Sequence, residues 1–352
     1  MEEWKSASVS GDLPKLEAVL YVGTTRGLEY PIVARAGVEF RAVQAGALRG
    51  LSLWRMLVNS LALLQGTVQA WRILREFRPD VTLATGGYAS VPVVMAAWLQ
   101  RCPVLVYLPD ILPGLAIRFL AHLVRRVAVS FDASLSYFAP GKAVVTGYPV
   151  RRALYTGNRA EVRKRLGLAL EERVVLVLGG SRGAHSINQA VAEVLEQLLS
   201  IAQVIHVAGE TDATWLRERR DALPADLRQR YHVHAYLHEE MTDALLAADL
   251  AIARAGAATM GEFAAVGLPS ILVPYPYAGR HQEVNADFMV GHGAALKLPD
   301  HRLAKGALRT LLKELLGDQE RLRVMADNAR KLARPEAART IAQQLVLLAG
   351  GL

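Results

Sequence analysis

A single cysteine, Cys102, stands among 352 residues, so no internal disulfide framework can form and a reducing compartment fits. It sits after an alternating apolar run and before Pro103, a setting that reads as packing. Long apolar runs are also missing. The longest, around Val91–Leu99, is roughly half of the ~18–20 residues a spanning helix needs. The opening MEEWKSASVSGDLPK is polar and has no apolar segment of the kind found in a secretory leader. No Asp-x-Asp pair occurs, which removes the commonest carboxylate seat for a divalent metal on a diphosphate. His206, His232, His234 and His238 cluster in sequence but fall on different expected elements, so no metal site is assigned to them. There is no zinc spacing, aromatic RNA-binding signature or long basic run, so the formal charge of +8 does not point to nucleic acid.

What is present is a large core. Hydrophobic residues make up 52% and charged residues 21%, and the length is comfortable for two domains. Short apolar strands alternate with helical patterns almost throughout. In the first part they are Glu17–Val22, Val81–Ala84, Val104–Tyr107, Val127–Ser130 and Ala143–Thr146, with helices near 53–77, 89–101 and 113–123. In the second part they are Arg173–Leu178, Gln203–Val207, His232–Ala235, Leu250–Ala253, Ser270–Val273 and Ala295–Leu298. Helices near 184–200, 212–220, 239–247, 257–266 and 280–291 separate them. Buried strands with interleaved helices make parallel, doubly wound sheets. Two such sets imply an α/β chain of two Rossmann-like domains, joined near Pro149–Tyr155, with a ligand expected in a central cleft at the carboxyl ends of both sheets.

Residues 249–285, DLAIARAGAATMGEFAAVGLPSILVPYPYAGRHQEVN, carry the most information. Strand 250–253 is broken at Gly256, and a helix starts at Ala257. Unpaired backbone N–H groups of Ala257, Ala258 and Thr259 and the positive end of the helix dipole then meet at one point, a ready anion site. Glu262, one turn on, suits a sugar diol, which donates two hydrogen bonds to a carboxylate. Gly179-Gly-Ser181-Arg-Gly-Ala184 is a second glycine turn between strand and helix, with Ser181 able to cap. It departs from the G-x-G-x-x-G spacing of dinucleotide sites. Gln282 and Asn285, three apart, share a helix face, and amides suit sugar hydroxyls. Gly86-Gly87-Tyr88-Ala-Ser90 is a third anion-competent turn, equally readable as a plain strand–helix connection.

The run Arg254-Ala-Gly256-Ala-Ala-Thr259-Met-Gly-Glu262, then Gly267-Leu-Pro269, then Gly279-Arg-His-Gln-Glu-Val-Asn285, resembles the donor-site signature of the MurG family. ATGGYASVPVVMAA (84–97), VTGYPVRRAL (145–154) and VLVLGGSRGAHSINQAV (175–191) agree with it, and the resemblance runs from about residue 16 to the C-terminus. The family implies a GT-B fold and inverting transfer of N-acetylglucosamine from UDP-N-acetylglucosamine to lipid I, forming lipid II at the cytoplasmic face of the membrane. It implies no cofactor. It places Arg151 and Ser181 beside the nucleotide, Asn188 behind the loop, and His281, Gln282 and Asn285 at the hexose, with His281 standing where the family has glutamine. It directs Gly86, Gly87, Tyr88 and Ser90 toward the acceptor. The domains expected are 1–150 for acceptor and membrane and 151–333 for donor, with a last helix in 334–352 returning to the first.

The family's opening strand, glycine-rich loop with histidine, and helix are not matched, and strand 17–23 is similar to the family's second. Two expectations follow: an unpaired edge in the first sheet, and an acceptor hydroxyl without its usual base. Asp110, in Tyr107-Leu-Pro-Asp110, is the remaining carboxylate at a strand's carboxyl end; it reads equally well as a cap for the helix after Pro113. Residues 46–58, with Arg49, Trp54, Arg55 and Met56, read either as an amphipathic helix packed on its own domain or as a patch on an anionic bilayer. Two rival functions stay open at this point. One is transfer to another membrane lipid such as diacylglycerol; the other is a catalytically impaired nucleotide-sugar-binding homologue.

Overall fold

The computed structural model describes residues 4, 13–24, 29–46, 53–180, 183–277 and 279–350, with side chains of 53–59, 304 and 305 left out. The chain divides into two compact units, Met1–Gly147 with Glu336–Leu352, and Tyr148–Pro335. The expected boundaries at 150 and 333 therefore lie two or three residues from the observed ones.

In the first unit, β1 (Leu20–Gly23) and β2 (Glu39–Ala42) pair in parallel, Leu20 opposite Glu39. A second parallel sheet runs β3 (Thr82–Ala84), β4 (Val104–Leu108), β5 (Arg126–Val129), β6 (Ala143–Val145). β4 reads VLVYL and is buried at every position, as a strand covered on both faces must be. Helices Leu53–Phe77 and Ser90–Leu99 pack together over this core. Helix Ala337–Ala349 belongs to this unit: Arg126 donates to Gln344 Oε1 at 2.7 Å, and Ala342 and Val346 pack with Leu13.

The second unit is one sheet of six parallel strands: β7 (Val174–Leu178), β8 (Gln203–Val207), β9 (Tyr231–His234), β10 (Leu250–Ala253), β11 (Ser270–Leu272) and β12 (Ala295–Lys297). Their spatial order is β12-β11-β10-β7-β8-β9, which is the Rossmann order, reversing direction between β7 and β10. Val175, Val177, Leu250, Ile252 and Ile271 are fully buried at its centre. Ala257–Val266 ends at Gly267, whose φ of 66° gives the left-handed cap. Gly261 lies against Tyr148; a Cβ there would come within 2.3 Å of the ring.

All six strands expected for the second unit are present. β2, helix Glu29–Arg35 and helices Ala307–Gly317 and Gln319–Lys331 were not expected. The helix expected over 184–200 is two, His185–Glu193 and Leu195–Leu199, broken at Val194 by a ψ of 8° with no glycine or proline to announce it. The patch expected over 46–58 falls largely outside the described side chains. Where the second unit bridges β8 and β10 with β7, no described strand of the first bridges β1 and β3.

Candidate active site

Ligands of doubly wound sheets bind where strand order reverses, and the loops after β7 and β10 meet there. After β7 the glycines are dictated by crowding. A Cβ on Gly179 would stand 2.1 Å from the Ala184 nitrogen; one on Gly183, at φ 75°, would stand 2.3 Å from the Ala208 carbonyl. Ser181 lies outside the described residues. After β10, Gly256 is the N-cap of Ala257–Val266 and supplies no side-chain bond; Ala184, before His185–Glu193, supplies none either. A Cβ on Gly256 would find just Thr259 Oγ1, at 3.9 Å. Both first turns thus carry N–H groups that no N-cap side chain among the described residues takes up, at the positive ends of two helices. Thr259 is 8% exposed, while Ala258 beside it is exposed.

Glu262 is half-buried and has no hydrogen-bond partner among the described residues. Burial pushes its carboxyl above the usual range, and the nearby Arg151 guanidinium pulls the other way. Arg151 is held in turn by the His238 carbonyl and Thr242 Oγ1, both at 3.2 Å. A part-desolvated carboxylate with open lone pairs has strong reason to accept from a ligand.

Two polar residues beside these turns are closed off from solvent, Asn285, expected at the hexose, and Asn188, expected behind its loop. Asn285 is fully buried and donates to the Ala255 carbonyl at 3.0 Å, fastening helix His281–Gly291 to the turn before Gly256. Asn188 is fully buried as well: its Nδ2 donates to the Ala208 carbonyl at 2.8 Å and Asp212 Oδ2 at 2.7 Å. Neither side chain is open to a ligand; each fastens a neighbouring turn. Gln282 is half-buried and accepts from the Tyr275 N–H at 2.9 Å through Oε1, which leaves its amide NH₂ without a partner among the described residues. His281 opens its helix beside Arg280, whose φ of 67° is left-handed and strained for a residue with a Cβ.

Sequence reading missed two clusters. Asp212 accepts from Asn188, from Trp215 Nε1 at 2.9 Å and from His185 Nδ1 at 2.9 Å. Burial pushes its carboxyl up, but these bonds outweigh burial and leave it below the usual range. Arg254 is the centre of the other. The sequence marks neither, because the partners come from distant turns.

In the first unit, Gly86 and Gly87 have φ of 84° and 76°, and Ser90 Oγ donates to the Gly87 carbonyl at 2.9 Å. Tyr88 is 50% exposed at this turn. Asp110 lies in the bend after β4 and is half-exposed; the helix beyond it, Leu115–Leu123, is capped at Gly114, so the capping reading is withdrawn. Tyr107 is structural, its hydroxyl buried against Ser130 Oγ at 2.7 Å.

This architecture, with its glycine turns at the switch point, is that of a GT-B glycosyltransferase. Residues 7–129 match the glycosyltransferase family 28 N-terminal domain and residues 174–345 the family 28 C-terminal domain. The UDP-N-acetylglucosamine--N-acetylmuramyl-(pentapeptide) pyrophosphoryl-undecaprenol N-acetylglucosamine transferase of Roseiflexus sp. is 42% identical, over 92% of this chain and 82% of its own length. The enzyme of the same name from Moorella thermoacetica is 38% identical, over 93% and 90%. The crystal structure of Acinetobacter baumannii MurG superposes with a TM-score of 0.73 at 25% identity, covering 97% of this chain and 93% of that one. The chain belongs to the MurG family.

Proposed function

We propose that UDP-N-acetylglucosamine seats in the second unit. Its diphosphate lies on the first turns of His185–Glu193 and Ala257–Val266, its ribose diol on Glu262, and its hexose toward His281 and Gln282. The observation that carries this reading is the part-desolvated Glu262, without a hydrogen-bond partner among the described residues, one turn behind a helix N-terminus whose N-cap residue is a glycine. The reaction is transfer of N-acetylglucosamine to lipid I, giving lipid II. The acceptor hydroxyl attacks the anomeric carbon from the face opposite the diphosphate. The new C–O bond forms as the bond to the β-phosphate oxygen breaks, and UDP leaves with the electron pair. The helix N-termini stabilise the charge arriving on that oxygen. The hydroxyl proton passes to a general base, which we assign to Asp110, and the Gly86–Ser90 turn faces the acceptor's diphosphate.

A lipid-linked acceptor places this chemistry at a membrane surface, and no described helix is long and apolar enough to cross one. Leu61, Leu64 and Val68 are 56%, 62% and 46% exposed on helix Leu53–Phe77. Their three- and four-residue spacing makes one apolar stripe, suited to resting on an anionic cytoplasmic leaflet.

Titration calorimetry with UDP-N-acetylglucosamine, without added metal, tests the donor site. Saturable one-to-one binding is expected. A folded sample that takes up no ligand at millimolar concentration overturns the assignment.

A further inference from the structure

Arg254, the first residue after β10, is 9% exposed, and its guanidinium is shared among several elements. Nη1 donates to Asp300 Oδ1 at 2.5 Å and to the Val273 and Pro274 carbonyls at 3.2 and 3.4 Å, just beyond β11. Nη2 donates to Ser186 Oγ at 2.9 Å, and that hydroxyl donates onward to Asp300 Oδ1 at 2.8 Å. The guanidinium carbon lies over the Tyr275 ring, 5.4 Å from its centroid. Asp300 opens the turn after β12, and Ser186 is the second residue of helix His185–Glu193. One buried cation therefore ties the carboxyl ends of β10 and β11, the turn after β12 and the first turn of the helix that follows β7.

A guanidinium this buried is tolerated because Asp300 cancels its charge and four oxygen contacts engage both of its Nη groups. Its location gives it a further consequence. The two helix N-termini at the switch point belong to separate strand–helix units, and a diphosphate bridging them senses their spacing directly. Arg254 stands two residues before the Gly256 cap of one helix, and Ser186 stands inside the first turn of the other. The bond between them is the short link between the two anion-binding turns, and Asp300 fixes the angle of that link by accepting from both.

We propose that Arg254, Ser186 and Asp300 form a positioning triad that sets the spacing of the two helix N-termini and so tunes affinity for the diphosphate, without any of the three touching it. The inference rests on the donor-site reading above. It separates from a purely structural role because spacing matters to the diphosphate and not to the nucleoside.

The test measures dissociation constants for UDP by calorimetry and for uridine by competition, with melting temperatures, in Ser186→Ala, Ser186→Thr and Asp300→Asn. Ser186→Ala and Asp300→Asn are expected to weaken UDP by roughly fivefold to tenfold, the scale of one ordinary hydrogen bond, with uridine unchanged. Ser186→Thr keeps the hydroxyl and is expected to restore wild-type UDP affinity. The inference is overturned if UDP affinity is unchanged in both, or if UDP and uridine fall together with the melting temperature. Glu262→Ala is the control. If the wild type binds UDP and Glu262→Ala does not, while the triad variants match the wild type, the donor site stands and this inference alone fails. If the wild type does not bind UDP, both fail.

Discussion

His206 donates its Nε2–H to Oδ1 of Asn188 at 3.0 Å. The direction follows from Asn188, whose Nδ2 is committed to the Ala208 carbonyl and Asp212, so its oxygen must accept. His206 Nδ1 is then the acceptor for the Tyr231 hydroxyl at 2.8 Å. The ring is fully buried and neutral, with burial pushing its pKa from 6.5 to about 3 against a small opposing pull from Asp212. The Ala208 carbonyl that crowds Gly183 is thus held by a file of side chains containing an uncharged histidine.

The pH dependence has a definite sign. Because the folded pKa is depressed, the unfolded chain takes up a proton first as pH falls through 6.5, and stability is lost from there down toward 3. The limiting slope is about 1.4 kcal/mol per pH unit. Urea unfolding at about pH 7 and about pH 5 should show the wild type losing on the order of 2 kcal/mol more than His206→Gln, which has no such group to titrate. Equal losses in the two proteins would mean that His206 is not held neutral.

Glu262→Ala removes two charge-assisted hydrogen bonds to the ribose and should weaken UDP-N-acetylglucosamine at least about tenfold. Its melting temperature should barely move, since the carboxylate has no partner among the described residues and burial disfavours its charge. A large loss of stability with unchanged affinity would make it a structural residue.

Glycine substitutions separate strain from collision. Gly183→Ala must hold φ 75° and place a Cβ 2.3 Å from the Ala208 carbonyl, so a loss of about 2–3 kcal/mol and weakened donor binding are expected. Gly167→Ala keeps φ 68° but meets nothing within 4 Å, and should cost about 1 kcal/mol with binding intact. Denaturant midpoints and calorimetry on both variants make the comparison.

If Asp110 accepts the acceptor proton, Asp110→Asn should lower kcat for lipid I by about 10²–10⁴-fold. Donor affinity should stay as it was, since every proposed donor contact is in the second unit. A rate within a few-fold of wild type would remove Asp110 from the chemistry.

Leu64→Glu puts a charge in the exposed stripe of helix Leu53–Phe77. Flotation with vesicles containing anionic lipid should show clearly reduced binding, while UDP-N-acetylglucosamine affinity is unaffected. Unchanged flotation would mean that this stripe does not meet the bilayer.

β7 and β10 were legible because each is a short, wholly apolar run between turn residues, VVLVL and LAIA, and burial from both faces allows little else; the other four strands are short runs bounded in the same way, mostly apolar in β8 and β11. Helix Ala257–Val266 was legible to the residue, its start set by Gly256 and its end by Gly267. β2 was not: EFRA is four half-exposed residues on an edge, with no apolar pattern to read. Helices Ala307–Gly317 and Gln319–Lys331 are amphipathic, and they lie outside the motifs that drew the reading.

By itself the sequence determined the fold class, the two glycine turns and the family, because local turn chemistry and hydrophobic period are properties of neighbouring residues. Which polar side chains face a ligand and which stand behind it was decided by tertiary structure. Asn285 looks like a ligand contact in the sequence, yet it is fully buried and donates to the carbonyl of Ala255. Arg254 and Asp300 are 46 residues apart in the chain and meet through a 2.5 Å bond that no local pattern announces. The physical reason is the sheet. Parallel strands deliver their carboxyl ends, and the loops after them, to one edge, so residues remote in sequence become hydrogen-bond partners only once strand order is set.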